Sequence, residues 1–159
     1  MVNSLPEPIK NDLPEPIMEM MNWLKEKGFL LIEQSYTYKA FGNYRSTWER
    51  QPHAFRLARD RLVWNVLFGI DRNIAAPNGV DPYLWAEHPI WEAYIEGLPM
   101  PINPSREILL SESITFFQDK FDEIVKLLKL DNQFEAHLRG IGIKTHKAIR
   151  ANFHFRAND

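Results

Sequence analysis

The side chains able to do chemistry in this sequence are dispersed. The histidines His53, His88, His137, His146 and His154 form no i,i+4 pair with one another, and no cysteine is present to complete a zinc ligand set. His146 and His154 share roughly one helical face, but a helix is not expected to reach residue 154. Arg59-Asp60-Arg61 sets a carboxylate between two cations, which would depress its pKa. The same triplet has the composition of a charged β-turn, and no second catalytic group accompanies it, so the turn is the expectation. Glu92 and Glu96 stand at i,i+4 and point the same way from a helix; without a partner group they read as solvated acidic surface. No phosphate-binding loop is present, and Gly140 and Gly142 lack the preceding strand that a dinucleotide fingerprint requires. The residues therefore predict no catalytic group, no metal ligand and no cofactor, and the chain is expected not to be an enzyme.

Charge is better organised. Residues 81–135 carry four Lys/Arg against eleven Asp/Glu, whereas residues 136–156 carry five Lys/Arg and no acid. Segregation of this kind points to faces of one sign, or to acidic and basic segments lying side by side in the fold. Within the acidic part, Tyr83, Trp85, Trp91 and Tyr94 alternate with Glu87, Glu92 and Glu96. Exposed aromatic rings among carboxylates could imitate nucleic acid toward a basic nuclease toxin and steer fast association. The partner-binding candidates are Tyr83, Trp85, Glu87, Trp91, Glu92 and Glu96; the competing reading is that the rings pack onto a sheet.

Two resemblances follow from local motifs. The stretch "LRGIGIKTHKAI" at 138–149 resembles the helix-hairpin-helix element of DNA repair and replication proteins. That resemblance implies Gly140 and Gly142 at a turn whose backbone N–H groups meet a phosphate, with Lys144, Lys147 and Arg150 adding non-specific affinity. Nucleic-acid binding is thus the alternative function. Residues 23–66 resemble the core of small bacterial immunity-type proteins from polymorphic-toxin and contact-dependent-inhibition loci. The matching residues are Gly28-Phe29 after a short helix, Phe41-Gly42-Asn43 at a turn, Arg59-Asp60-Arg61 at a second turn, and Trp64 on the next strand. Where that grouping carries a glycine after the second turn, this chain has Leu62. The resemblance implies a cytoplasmic inhibitor that binds and occludes a cognate protein toxin and catalyses nothing.

The elements that must position these residues are legible from periodicity. A chain of 159 residues favours a single domain, 1–159. Its opening "MVNSLPEPIKND" has no basic stretch followed by an apolar core, so no signal peptide is expected. No apolar run approaches the roughly 18 residues of a membrane span, so a soluble cytoplasmic protein is expected. The pentad LPEPI occurs at 5–9 and again at 13–17. The first copy meets "KND" and is expected to lie extended within 1–12. The second opens a helix, with Glu15 outside and Pro16 at its start, and Ile17, Met20, Met21 and Leu24 on one face. Alternation over 29–38, 44–50, 54–59 and 62–69 predicts an antiparallel meander of about four strands. The segment 83–97 is expected to be helical in pieces, interrupted near Pro89. Residues 113–130 form an amphipathic helix with Ile114, Phe117, Phe121, Ile124, Val125 and Leu128 as its apolar stripe. The expected class is α+β: an N-terminal helix, a β-meander, and C-terminal helices packed on one face.

Overall fold

The computed structural model describes residues 13–37, 43–61, 63–71, 83–97 and 108–130. Helix α1 (Glu15–Glu26) is followed by strands β1 (Leu30–Thr37), β2 (Asn43–Arg50), β3 (His53–Asp60), β4 (Val63–Asp71) and β5 (Tyr83–Glu87). Helices α2 (His88–Glu96) and α3 (Leu110–Leu130) follow among the described residues. The strands form one antiparallel sheet in the order β1-β2-β3-β4-β5, so each hairpin neighbour in sequence is a neighbour in space. The α+β arrangement matches the sequence expectation, with a fifth strand added.

That fifth strand corrects the reading of 83–97. Tyr83, Trp85 and Glu87 alternate with Leu84 and Ala86, a period of two that pairs with β4 from Asp71↔Tyr83 to Leu67↔Glu87. Pro89 does not interrupt the helix that follows. It stands in the first turn of α2, where a missing N–H costs nothing, and Gly97 at φ +72° ends the helix in the left-handed conformation. At the N-terminus Glu15 lies inside α1, and the extended Pro14 caps it. The extended segment 1–12, the Phe41-Gly42 part of the first turn and Leu62 lie outside the described residues.

α1 ends as its sequence requires. Gly28 takes φ +86°, its N–H reaches Lys25 O (3.1 Å), and the N–H of Phe29 reaches Leu24 O (2.9 Å). This is the Schellman arrangement, and it drops Phe29 into the core beside Leu24. Ile17, Met20 and Leu24 are fully buried from the same face of α1.

The core lies between the sheet and the helices, all on one side. Trp48, Phe55, Phe68 and Ala86 occupy one register line across β2–β5 and share that face. Phe55 is its hub, with ring centroids 4.6 Å from Phe68, 5.4 Å from Phe117 of α3 and 5.9 Å from Trp23 of α1. The edge-to-face and tilted arrangements of these rings are those that aromatic quadrupoles prefer. Helix α3 contributes Ile114, Phe117, Phe121 and Ile124 to this core, and begins one turn earlier than periodicity indicated.

The opposite sheet face is polar and ordered. Glu33 pairs with Arg45 and reaches toward Arg56, Thr47 Oγ1 accepts a bond from Arg56 Nε (3.2 Å), and the Arg56 guanidinium lies 4.4 Å from the Trp85 ring centroid. The indole sits against the backbone of β4 because position 69 has no side chain. A Cβ at Gly69 would come within 2.7 Å of Trp85 Cε3. Gly69→Ala is therefore expected to displace the Trp85 ring and cost about 1–3 kcal/mol. Urea unfolding should show the loss, and near-ultraviolet circular dichroism should show the altered indole; unchanged stability with an unchanged spectrum would refute the contact.

Candidate functional site

The charged triplet Arg59-Asp60-Arg61 forms the β3–β4 turn, with Arg61 at φ +51°. Its N–H is held by Asn43 Oδ1 at 3.1 Å, so the acceptor comes from the neighbouring hairpin and not from Asp60. Turn chemistry accounts for the triplet.

The six partner-binding candidates are divided among three environments. Tyr83 and Trp85 belong to the polar sheet face. Tyr83 is buried and its hydroxyl donates to the Glu49 carboxylate. Burial, then that carboxylate, push the phenol well above its usual range, so it stays protonated. Trp91 is fully buried on the other side of the sheet. Its indole N–H is shared between Phe68 O and Ala86 O, each at 3.1 Å, which locks α2 onto β4 and β5. Trp91 thus supports the surface from beneath and is not part of it; Tyr94 is likewise buried. Glu96 is exposed in the last turn of α2, and Glu92 is half-buried. Glu87 is exposed at the end of β5.

Glu87 opens onto a feature that the sequence did not reveal. Strand β5 stops at the Leu67↔Glu87 pair, while β4 continues back to Val63. The chain turns into α2 at that point, and the space left beside β4 is a cavity of about 240 Å³. It is lined by the apolar residues Val63, Trp64, Val66, Pro89 and Leu110 and by the polar residues Asn65, Glu87, His88 and Ser113. Burial pushes the Glu87 carboxyl above its usual range. The residue as a whole keeps solvent contact.

Behind the cavity, His88 bridges two helices. Its Nε2 lies 2.8 Å from Glu92 Oε2 and its Nδ1 3.2 Å from Ser113 Oγ, and its ring stacks on Phe116 with centroids 4.0 Å apart. A proton on Nε2 satisfies both bonds: Nε2–H donates to the carboxylate, and Nδ1 accepts from the hydroxyl. The order carboxylate, imidazole, hydroxyl is also that of an activated serine. Here, however, the Ser113 N–H is given to Leu109 O at 3.1 Å and is not free to serve a developing oxyanion. The network works as a clamp between α2 and α3, each bond contributing about 1 kcal/mol. Its signal in the sequence was the i,i+4 spacing of His88 and Glu92.

Among the described residues, no three His, Cys, Asp or Glu side chains gather as a metal site, and no helix is long and apolar enough to cross a membrane. The helix-hairpin-helix-like segment, with Gly140, Gly142, Lys144, Lys147 and Arg150, lies outside the described residues, as do His137, His146 and His154. No protein-family model matches the chain, and neither a curated protein nor a solved structure does so.

Proposed function

We propose that this chain is a binding protein of the immunity type, which neutralises a cognate protein toxin by occluding it and makes or breaks no bonds itself. The observation that carries the reading is the charge of the helical side of the molecule. Strand β5 and helices α2 and α3 hold seven carboxylates against three lysines, and Glu96, Asp119, Asp122 and Glu123 are exposed. Beneath them the interlocked rings of Phe55, Phe68, Trp91, Phe117 and Phe121 keep the layer stiff. A rigid acidic surface suits a basic toxin, because complementary potentials accelerate encounter and a preorganised surface loses little entropy on docking. The immunity-type resemblance of residues 23–66 supports the same reading, and a cytoplasmic location goes with it.

The test is co-expression with the product of an adjacent toxin-like reading frame. The chain is expected to restore growth and to bind that product with an affinity that falls as salt rises. The double substitution Glu96→Lys with Asp119→Lys, both at exposed sites, is expected to weaken binding about tenfold or more, chiefly through the association rate. Failure to bind, together with retention of DNA that is lost in Lys144→Glu with Lys147→Glu, would favour the nucleic-acid alternative instead.

A further inference from the structure

Strand β4 keeps a short stretch of unpaired sheet edge beside α2. In an antiparallel sheet the N–H and C=O of one residue turn to the same neighbouring strand, and successive residues alternate between the two neighbours. Two observations fix the sense of that alternation in β4. The Trp91 indole reaches the carbonyls of Phe68 and its register partner Ala86 together, so the backbone of Phe68 faces β5. The N–H of Asp71 is given to Pro52 O at 2.8 Å, just ahead of β3, so the odd-numbered residues face β3. Trp64 and Val66 therefore face the β5 side, but β5 ends at the Leu67↔Glu87 pair. Past that pair the Val66 N–H and the N–H and C=O of Trp64 meet the cavity, and no described backbone group takes them. Val66 is only 4% exposed, and a backbone N–H so placed is ordinarily paired.

We propose that this edge pairs with a short extended segment of the protein partner, which lies along Val63–Val66 in the place that a longer β5 would take. The inference rests on the binding reading above and specifies one contact of it. Strand addition fits the features of the edge. Donors and acceptors spaced along one side of a strand are complementary to extended backbone, which supplies the same groups at the same spacing. A cavity of about 240 Å³ admits extended chain but not a helix, whose diameter is about 10–12 Å. The register also sets the character of the segment. Val66 shares the helical side of the sheet with Leu57, so side chains turned that way meet Val66, Pro89 and Leu110 and are apolar. Side chains turned the other way share the polar face with Asn65 and the exposed Glu87, so they are polar. The carboxylates of that face and of the α2–α3 layer draw the same basic partner to the edge.

The experiment uses the full ¹⁵N-labelled chain at pH 7 and a capped tetrapeptide, acetyl-Thr-Val-Thr-Val-N-methylamide, so it does not depend on finding the partner. In the free chain the backbone amides of Trp64 and Val66 are expected to exchange with solvent faster than that of Phe68. On titration both amides should shift saturably and exchange more slowly, and the same peptide N-methylated at every residue should bind about tenfold or more weakly. Trp64→Thr keeps the backbone N–H and should retain binding. Trp64→Pro removes that N–H from the β5 side alone, where proline is tolerated, and should bind about tenfold more weakly than Trp64→Thr. Urea unfolding shows whether both variants fold, and the comparison of the two peptides on the parent chain decides the matter if either does not. Slow exchange of both amides in the free chain, no saturable shift, equal binding of the N-methylated peptide, equal binding by folded Trp64→Pro and Trp64→Thr, or shifts centred on β1 at the far edge of the sheet would overturn the site. Protection that appears on raising the protein concentration without peptide would also overturn it, in favour of a second copy. Failed growth rescue combined with peptide binding at this edge would refute the toxin reading and leave the edge assignment standing; the reverse pair of results would do the opposite.

Discussion

Trp91→Ala is expected to destabilise the fold by about 3–5 kcal/mol, the range for removing a fully buried large aromatic side chain. Domains of this size are commonly stable by roughly 5–15 kcal/mol, so the variant should sit near the edge of folding. Three losses coincide at this residue. The ring is completely buried and packs with its centroid 4.8 Å from Phe68 and 6.0 Å from Tyr94. Its indole N–H holds the carbonyls of Phe68 and Ala86 together across β4 and β5. Its helix, α2, carries both Glu92 and the His88 clamp to α3. Trp91→Phe separates these contributions. It restores much of the volume but leaves both carbonyls without that donor, and should cost about 1–3 kcal/mol. Urea unfolding of the two variants and the parent measures the series. An alanine variant as stable as the parent would show that the ring is not in the core, and with it the rigid platform assumed for the acidic layer would be lost.

The same residue shows where sequence reasoning reached and where it stopped. The stripe of α3 and the buried face of α1 were legible because a period of 3.6 is written directly in Ile114, Phe117, Phe121 and in Ile17, Met20, Leu24. The meander was legible because its connections are short and its strands alternate. Residues 83–97 resisted, because five residues of alternation run without a break into nine of helix, and the proline that marks the change was ambiguous. It can end a helix or begin one, and pairing of β5 with β4 decides the matter. Aromatic residues spaced among carboxylates gave the composition of a binding surface. Which rings face outward depends on that change of element, so Trp85 went to one side of the sheet and Trp91 to the other. The cavity could not be read at all: it exists because β4 outlasts β5, a difference of strand lengths that no local pattern encodes. His88 and Glu92 stand four residues apart, a spacing that an expected break near Pro89 conceals, and Ser113, 25 residues from His88, joins them through packing alone.

Acidification is expected to weaken the fold through His53, and the window is set by where its imidazole titrates. The residue is 8% exposed and its ring stacks on Phe68. Burial first, then the positive charges of Arg50 and Lys129, lower its pKa from 6.5 to about 4. In the unfolded chain the ring takes up its proton near pH 6.5, whereas in the fold it resists until about pH 4. Between these values the unfolded state binds the extra proton, so stability falls as acid is added. Above the window neither state is protonated and the full contribution is present; below it both are, and no further loss comes from this group. The total is at most about 3 kcal/mol. Glu87 acts in the opposite sense, since a carboxyl raised in the fold favours the folded state as pH falls. A bare pH profile therefore mixes signs, and the His53 contribution is isolated by comparison with His53→Phe, which keeps an aromatic ring against Phe68 and cannot titrate. The difference in unfolding free energy between parent and variant should change by up to about 3 kcal/mol from neutral pH to pH 4. Parallel profiles over that range would mean that His53 is protonated as readily in the fold as outside it, which its position between Arg50, Lys129 and the Phe68 ring makes unfavourable.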